Sequence, residues 1–536
     1  MPLDTQSETL DVVVVGAGFS GLYLLHRLRK DGFSVHVVEA GDDVGGTWYW
    51  NRYPGARCDI MSLDYSMSFD PELQQEWKWP ERYSAQPDIL VYARHIAERF
   101  DLRRDITFGV RVTAATFDDA TDRWLVEGDN GKRWNARHVI MATGCLSVPR
   151  MPEAPGLEDF RGDWYHTGDW PHEGVDFTGK KVAVIGTGSS GIQSIPVIAQ
   201  QAKHLTVFQR TPNFSVPAWN GPMDPAFEAE HKAHYDELRE VTRWSAGGYL
   251  VEDNNDPCKH LPRAEIEAEL ERRWKQGGFS MLGAYGDIMT DLEVNAIVVD
   301  FVHRKIREKV KDPEIAELLC PKDHPFGTKR LCVDTGYYET YNRDNVALVD
   351  IRKAPIETIT ATGIKTAEAE HDFDIIVFAT GFDAMTGAIL NVDIKGRQGA
   401  SLREKWAQGP RSYLGLMVAG FPNLFTVTGP QSPSVLANVI TAIEQHVEWI
   451  CDCINHMRDR QLSHIEAKKD AEDRWVNHVI ELGDTTLYPQ ANSWYMGANI
   501  PGKPRVFMPY VGGCGNYRKI CDEIAAENYR GFELAS

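Results

Sequence analysis

No apolar run in the sequence approaches the roughly 18 residues that a membrane-crossing helix needs, so a membrane-spanning protein is not expected. Cysteine is scarce and unpaired. Nine cysteines lie at scattered positions with no Cys-x-x-Cys, and the Cys451, Cys453 spacing suits neither a metal nor a redox dithiol. That argues against a disulfide scaffold, a metal centre and a dithiol reductase, and for a reducing cytoplasm. Positive charge is also in deficit. Against 77 acidic residues stand 57 basic ones, a formal charge of −20, which disfavours nonspecific adhesion to nucleic acid or an anionic membrane. Any anion must therefore be held locally. The opening stretch, Met1 to Leu10, is polar and acidic and does not read as a secretory leader.

The chain has 536 residues, 43% of them hydrophobic and 45 of them Gly, enough for several cores. A β-branched run, Asp11 to Val15, turns through Gly16, Ala17, Gly18, Phe19, Ser20 and Gly21 into a helix carrying Leu22, Leu24, Leu25 and Leu28. A second strand, Ser34 to Val38, ends at Glu39, 23 positions after Gly16. Strand, G-x-G-x-x-G, helix and distal acid together make a dinucleotide-binding βαβ unit, in which glycine lets the backbone approach a pyrophosphate and the acid can accept both ribose hydroxyls. The unit recurs. Lys180 to Ile185 leads into Gly186, Thr187, Gly188, Ser189, Ser190 and Gly191, then a helix through Ile192, Gln193, Ile195 and Ile198. Its second strand, Leu205 to Phe208, ends in Gln209, Arg210 and Thr211, with Arg210 24 positions after Gly186. A carboxylate there would repel a 2′-phosphate, whereas a guanidinium grips it. The first unit is accordingly assigned to FAD and the second to NADPH.

Two apolar runs ending in Ala142-Thr143-Gly144 and Ala379-Thr380-Gly381 pair with the two glycine loops as matching returns. From Phe227 to about Asp323 the sequence is rich in Glu, Lys, Arg and Ala, which predicts a helical insertion with solvated charged faces. The expected fold is α/β, with two Rossmann-type dinucleotide-binding domains and a helical insertion. The expected division is an FAD-binding part over 1–146, an NADP-binding part over 147–226, the insertion over 227–326, a second NADP-binding part over 327–381 and a C-terminal FAD-binding part over 382–536.

Phe160, Gly162, His166, Trp170 and Pro171 fit F-x-G-x-x-x-H-x-x-x-W-P, and Gly45 to Asp59 carries Gly-Gly, Trp, Tyr-Pro-Gly and a closing Asp. Together with both glycine loops and the pair Lys329, Arg330, these motifs resemble type I Baeyer–Villiger monooxygenases over essentially the whole chain. The resemblance implies NADPH- and O₂-dependent conversion of small ketones to esters or lactones. In that reaction NADPH reduces the flavin, O₂ adds at its C4a atom and the resulting peroxide anion attacks the carbonyl. It makes Arg330 the fixed cation for the anionic intermediates, a task that suits an always-protonated guanidinium. It makes Asp59 the partner of Arg330.

By the same resemblance Thr47, Trp48, Tyr49 and Trp50 line the flavin, with Tyr65 and Val112 beside it. Arg57, Cys58 and Asp59, the stretch Gly186 to Gln193, and Lys329 with Arg210 and Thr211 belong to the cofactor sites. Trp494 approaches NADP, His166 transmits nucleotide binding between domains, and the loop Gly429 to Ala437 shapes ketone access. The ketone itself is not legible. The rivals are a flavin N- or S-monooxygenase, whose fingerprint lacks the Trp170-Pro171 ending, and a nucleotide-binding redox sensor without turnover, which would not need Asp59 and Arg330 together.

Overall fold

A computed structural model of the protein describes residues 8–536; the first seven residues of the polar opening lie outside that range. The valine run forms the strand Glu8–Val15, whose Val12, Val13 and Val14 are fully buried on both faces, as a central parallel strand requires. After the glycine turn comes the helix Phe19–Lys30, which buries Leu22, Leu24, Leu25 and Leu28 and ends in Arg27, Arg29 and Lys30, cations that suit a helix C-terminus. Strand Val35–Val38 pairs parallel to Glu8–Val15, with Val15 opposite Val38. The return strand Arg133–Met141 flanks the other side, with Met141 opposite Val15. These strands are the centre of an eight-stranded sheet.

The second unit repeats the plan. Strand Lys181–Ile185, helix Ser189–Gln201 and strand His204–Gln209 follow in order, and Ile185 pairs with Phe208 on one side and Phe378 of the return strand Ile375–Phe378 on the other. Val346–Asp350 and Asp163–His166 complete a five-stranded, wholly parallel sheet. His166 thus ends an edge strand of the second sheet rather than lying in a free linker.

The acid-rich segment is helical: Pro225–Ala233, Tyr235–Trp244, Arg263–Gln276, Leu292–Lys309 and Pro313–Leu319. Asp224, Asp291 and Asp312 cap three of these helices by accepting from their first free N–H groups. The C-terminal third returns to the first sheet. Leu424–Thr426 pairs with Val139 to Met141, and the long helix Val439–Asp459 lies against Phe19–Lys30, joined by the ion pair of Arg27 and Asp452 at 2.9 Å. Among the described residues, no helix is long and apolar enough to cross a membrane.

Candidate active site

Gly16 has φ = +106°, and a side chain there would run into the carbonyl of Ala142. Only glycine is comfortable in that turn. The helix it feeds, Phe19–Lys30, starts at Gly18 with no side-chain cap, which leaves its first N–H groups available to an anion. Glu39 is buried at the end of the second strand. Its two carboxylate oxygens accept from the N–H groups of Ala17 at 2.6 Å and Gly41 at 2.7 Å. Each oxygen keeps a lone pair for a ribose hydroxyl. Burial pushes the Glu39 carboxyl up, and the two N–H groups pull it back without cancelling the rise.

The second cradle copies the first. Gly186 has φ = +116° and faces the carbonyl of Ala379, and the helix Ser189–Gln201 again starts at a glycine without a side-chain cap. Thr187 Oγ1 donates to the carbonyl of Thr211 at 2.9 Å and so ties the glycine loop to the strand end. Arg210 is exposed there. The nearby Lys329 has its ammonium pKa lowered by burial, with Arg210 adding to the effect and Asp323, 3.9 Å away, opposing it. Two cations that crowd one another in this way fit a dianion such as a 2′-phosphate.

Both cradles open into one cavity of about 1200 Å³, and Asp59 and Arg330 line it between them. Asp59 Oδ2 accepts from Arg330 Nη2 at 3.3 Å and Nε at 3.4 Å, while Arg330 Nη1 donates to the carbonyl of Val435 at 3.0 Å. The guanidinium carbon lies 4.8 Å from the ring centre of Phe279, and the Tyr495 hydroxyl stands near enough for the two groups to influence each other's charge. Burial works against the guanidinium's charge, but Asp59 together with Tyr495, Cys332 and Cys58 more than offsets it, so its pKa is raised and the cation is permanent. Burial also pushes the Asp59 carboxyl up, against the pull of Arg330 and a backbone N–H from Val333. The arrangement is a caged positive charge between two nucleotide cradles, able to hold negative charge on a reacting oxygen without surrendering a proton.

A family model described as Pyridine nucleotide-disulphide oxidoreductase matches residues 10–239. The protein named "Baeyer-Villiger monooxygenase" of Pseudooceanicola batsensis is 42% identical over 529 residues, covering 98% of this chain and 96% of that one. The solved structure "Oxidized steroid monooxygenase bound to NADP" is 52% identical with a TM-score of 0.95, covering 98% of this chain and 99% of that chain. The chain belongs to the Baeyer–Villiger monooxygenase family. "Phenazine N-monooxygenase PhzNO1" of Lysobacter antibioticus is also similar, at 39% identity over 538 residues, 100% of this chain and 98% of its own. The disulphide half of the model's description has no dithiol to act through here, because no Cys-x-x-Cys is present.

The cavity of this family member gathers most of the residues expected at the site. Gly16, Gly18, Phe19, Ser20, Glu39, Thr47, Trp48, Trp50, Arg57, Cys58, Asp59, Tyr65 and Val112 line it, as do Gly186, Thr187, Gly188, Ser189, Ser190, Gln193, Arg210, Thr211, Lys329, Arg330 and Trp494. Four expected residues do not. Thr47–Trp50 is a single helical turn, so its four side chains point about 100° apart and cannot share one wall. Tyr49 turns away, giving its hydroxyl to Asp42 at 2.6 Å and packing on His172. Gly21 and Gly191 lie behind their loops, where a side chain would strike the carbonyls of Gly16 and Gly186, and Ile192 is buried in the core. The two glycines let helix and strand close up.

Some of the polar groups on the cavity wall are already engaged and others are not. Trp48 Nε1 donates to Tyr65 OH at 3.0 Å, which fixes both rings. The guanidinium of Arg57 is engaged by Glu81 and the carbonyl of Tyr83 rather than left free. Three buried atoms on cavity-lining residues, Asn51 Oδ1, Ser493 Oγ and Asn499 Oδ1, have no hydrogen-bond partner among the described residues. Such atoms are costly unless a ligand or water satisfies them. Sequence reasoning missed them, together with Phe279, Tyr495 and the Val435 carbonyl around Arg330. Ser493, Tyr495 and Asn499 flank the expected Trp494, and only that adjacency could have flagged them.

Proposed function

We propose that the protein oxidises small ketones to esters or lactones with NADPH and O₂, using Arg330 and Asp59 as its catalytic pair. Its cofactors are FAD and NADPH, and the residues present fit both. The uncapped helix starts and the glycine turns offer two pyrophosphate sites, Glu39 offers a ribose acceptor, and Arg210 with Lys329 offers a 2′-phosphate site. Residues 1–146 and 382–536 serve the flavin, 147–226 and 327–381 the nicotinamide nucleotide, and 227–326 supplies Phe279 to the cage around Arg330. Bound flavin supplies the electron transfer and the activation of O₂.

The protein's own part is electrostatic. Arg330, held by Asp59, Val435 and Phe279, stabilises negative charge as it develops on oxygen. Because it cannot deprotonate, it leaves that anion intact rather than quenching it. Asp59 orients the guanidinium and moderates its field, and Trp48 with Tyr65 forms a rigid aromatic wall that keeps water away. His166 takes no part as a base. Its Nδ1 accepts from the N–H of Gly168 and its Nε2 donates to Thr380, both at 3.0 Å, while burial lowers its pKa. Both nitrogens are therefore occupied.

The single observation that carries this reading is the Arg330–Asp59 pair set between two nucleotide cradles in one cavity. A panel of cyclic, linear and aromatic ketones, incubated with purified protein and NADPH and followed by product identification, tests it. The expected result is an ester or lactone with one O₂ consumed per NADPH. Arg330→Ala should retain FAD and lose ester formation by roughly 100-fold or more. N-Oxygenation is the second reading, favoured by the phenazine N-monooxygenase relative. An N-oxide from an aromatic amine in the absence of any ester would establish it in place of ketone oxidation.

A further inference from the structure

The helix that opens the second cradle is fastened to the turn before Asp59 by contacts that neither nucleotide requires. Along Ser189–Gln201, Ser190, Gln193 and Val197 recur at spacings of three and four and share one face. Ile192, Ile195, Ile198 and Ala199 are buried in the core. Tyr53 donates its hydroxyl to Gln193 Oε1 at 2.8 Å. The N–H of Arg57 donates to the same Oε1 at 3.3 Å, and Gln193 Nε2 donates to the Arg57 carbonyl at 3.0 Å. Between Tyr53 and Arg57 sits Gly55, with φ = +81°, where a side chain would run into the backbone carbonyl of Gln193 and press on Val197. Two residues after Arg57 comes Asp59, which holds Arg330.

We propose that Gln193 is a positioning residue. It clasps the first turns of the nucleotide-binding helix to the Asp59 turn, so that the second cradle and the Arg330–Asp59 pair keep one fixed separation. A neutral amide suits this task because it gives and receives at once, and the contact can part and re-form without stranding a charge. The inference rests on the NADPH reading of the second cradle and assigns Gln193 a different duty from holding the nucleotide. Its hydrogen bonds reach the flavin-side turn, and its effect falls on the rate of reduction rather than on affinity.

The test uses flavin-loaded Gln193→Leu, Gln193→Glu and Gly55→Ala. Gln193→Glu keeps the shape and the acceptor but loses the donor to Arg57. Gly55→Ala pushes on the clasp from the other side. NADP⁺ affinity is read from spectral titration of the bound flavin, and the reduction rate from anaerobic single-turnover bleaching by NADPH. We expect all three variants to bind NADP⁺ within about threefold of wild type and to be reduced roughly tenfold more slowly or worse, the penalty that a small misplacement carries. Unchanged bleaching, or affinity falling in step with the rate, would overturn the clasp. A wild-type protein that NADPH does not bleach at all would instead overturn the reading beneath it.

Discussion

The two nucleotide units are near-copies in backbone and opposites in charge. In each, the first glycine has a strongly positive φ and backs onto an Ala-Thr-Gly return, the last glycine admits its helix to the strand, and the helix begins without a side-chain cap. They diverge where the second strand ends. There the first unit buries a carboxylate, Glu39, bonded to its own turn, whereas the second exposes a guanidinium, Arg210, for which no hydrogen bond or ion pair is found among the described residues. The scaffold provides phosphate binding in both places. On the proposed reading, the residue at each strand end then chooses the ribose.

That comparison breaks most visibly at the glycines. Gly16→Val should give protein purified without yellow colour, whereas Gly186→Val should stay yellow but lose its response to NADPH; absorbance at flavin wavelengths and NADPH oxidation separate the two. Arg210→Ala should raise the NADPH KM roughly 10- to 100-fold, the weight of charge-assisted hydrogen bonds at about 1.5–3 kcal/mol, with the NADH KM nearly unmoved. An unaltered NADPH to NADH ratio would remove Arg210 from the site.

Glu39→Gln is a sharper probe of the first unit. Both carboxylate oxygens already face N–H donors, so an amide must turn its NH₂ toward one of them. FAD affinity should fall about tenfold, and the melting temperature of the apoprotein should fall with it. The smallest effect concerns pH. Because burial and Arg210 lower the Lys329 pKa, its charge is complete below that pKa and is lost as pH rises through it. NADP⁺ affinity should therefore weaken several-fold on the alkaline side, earlier than an ordinary lysine near 10.4 would cause, while NAD⁺ affinity stays flat.

Local features were legible in the sequence. Both βαβ units, the helices of the insertion and the strand-end position of Arg210 follow from patterns confined to short segments, where periodicity and spacing carry the information. The Arg330–Asp59 pairing could be expected only through family resemblance, because the partners stand 271 positions apart. The rest of the cage was beyond reach for a physical reason. Val435 contributes a backbone carbonyl, which no residue type announces, and Phe279 comes from a segment whose sequence advertises only amphipathic helices. Tyr49 misleads in the opposite direction, since a run of aromatics gives no sign of which ring a helical turn will rotate away.

One small latch has a wider consequence. Gly168 gives to His166, His166 gives to Thr380, and Thr380 gives to the carbonyl of Arg150 at 3.0 Å. The relay runs one way only, and it needs an uncharged imidazole with its hydrogen on the outer nitrogen. Burial disfavours a second hydrogen on the enclosed ring, so the relay stitches the end of the edge strand to the Thr380 return and to the chain entering at Arg150.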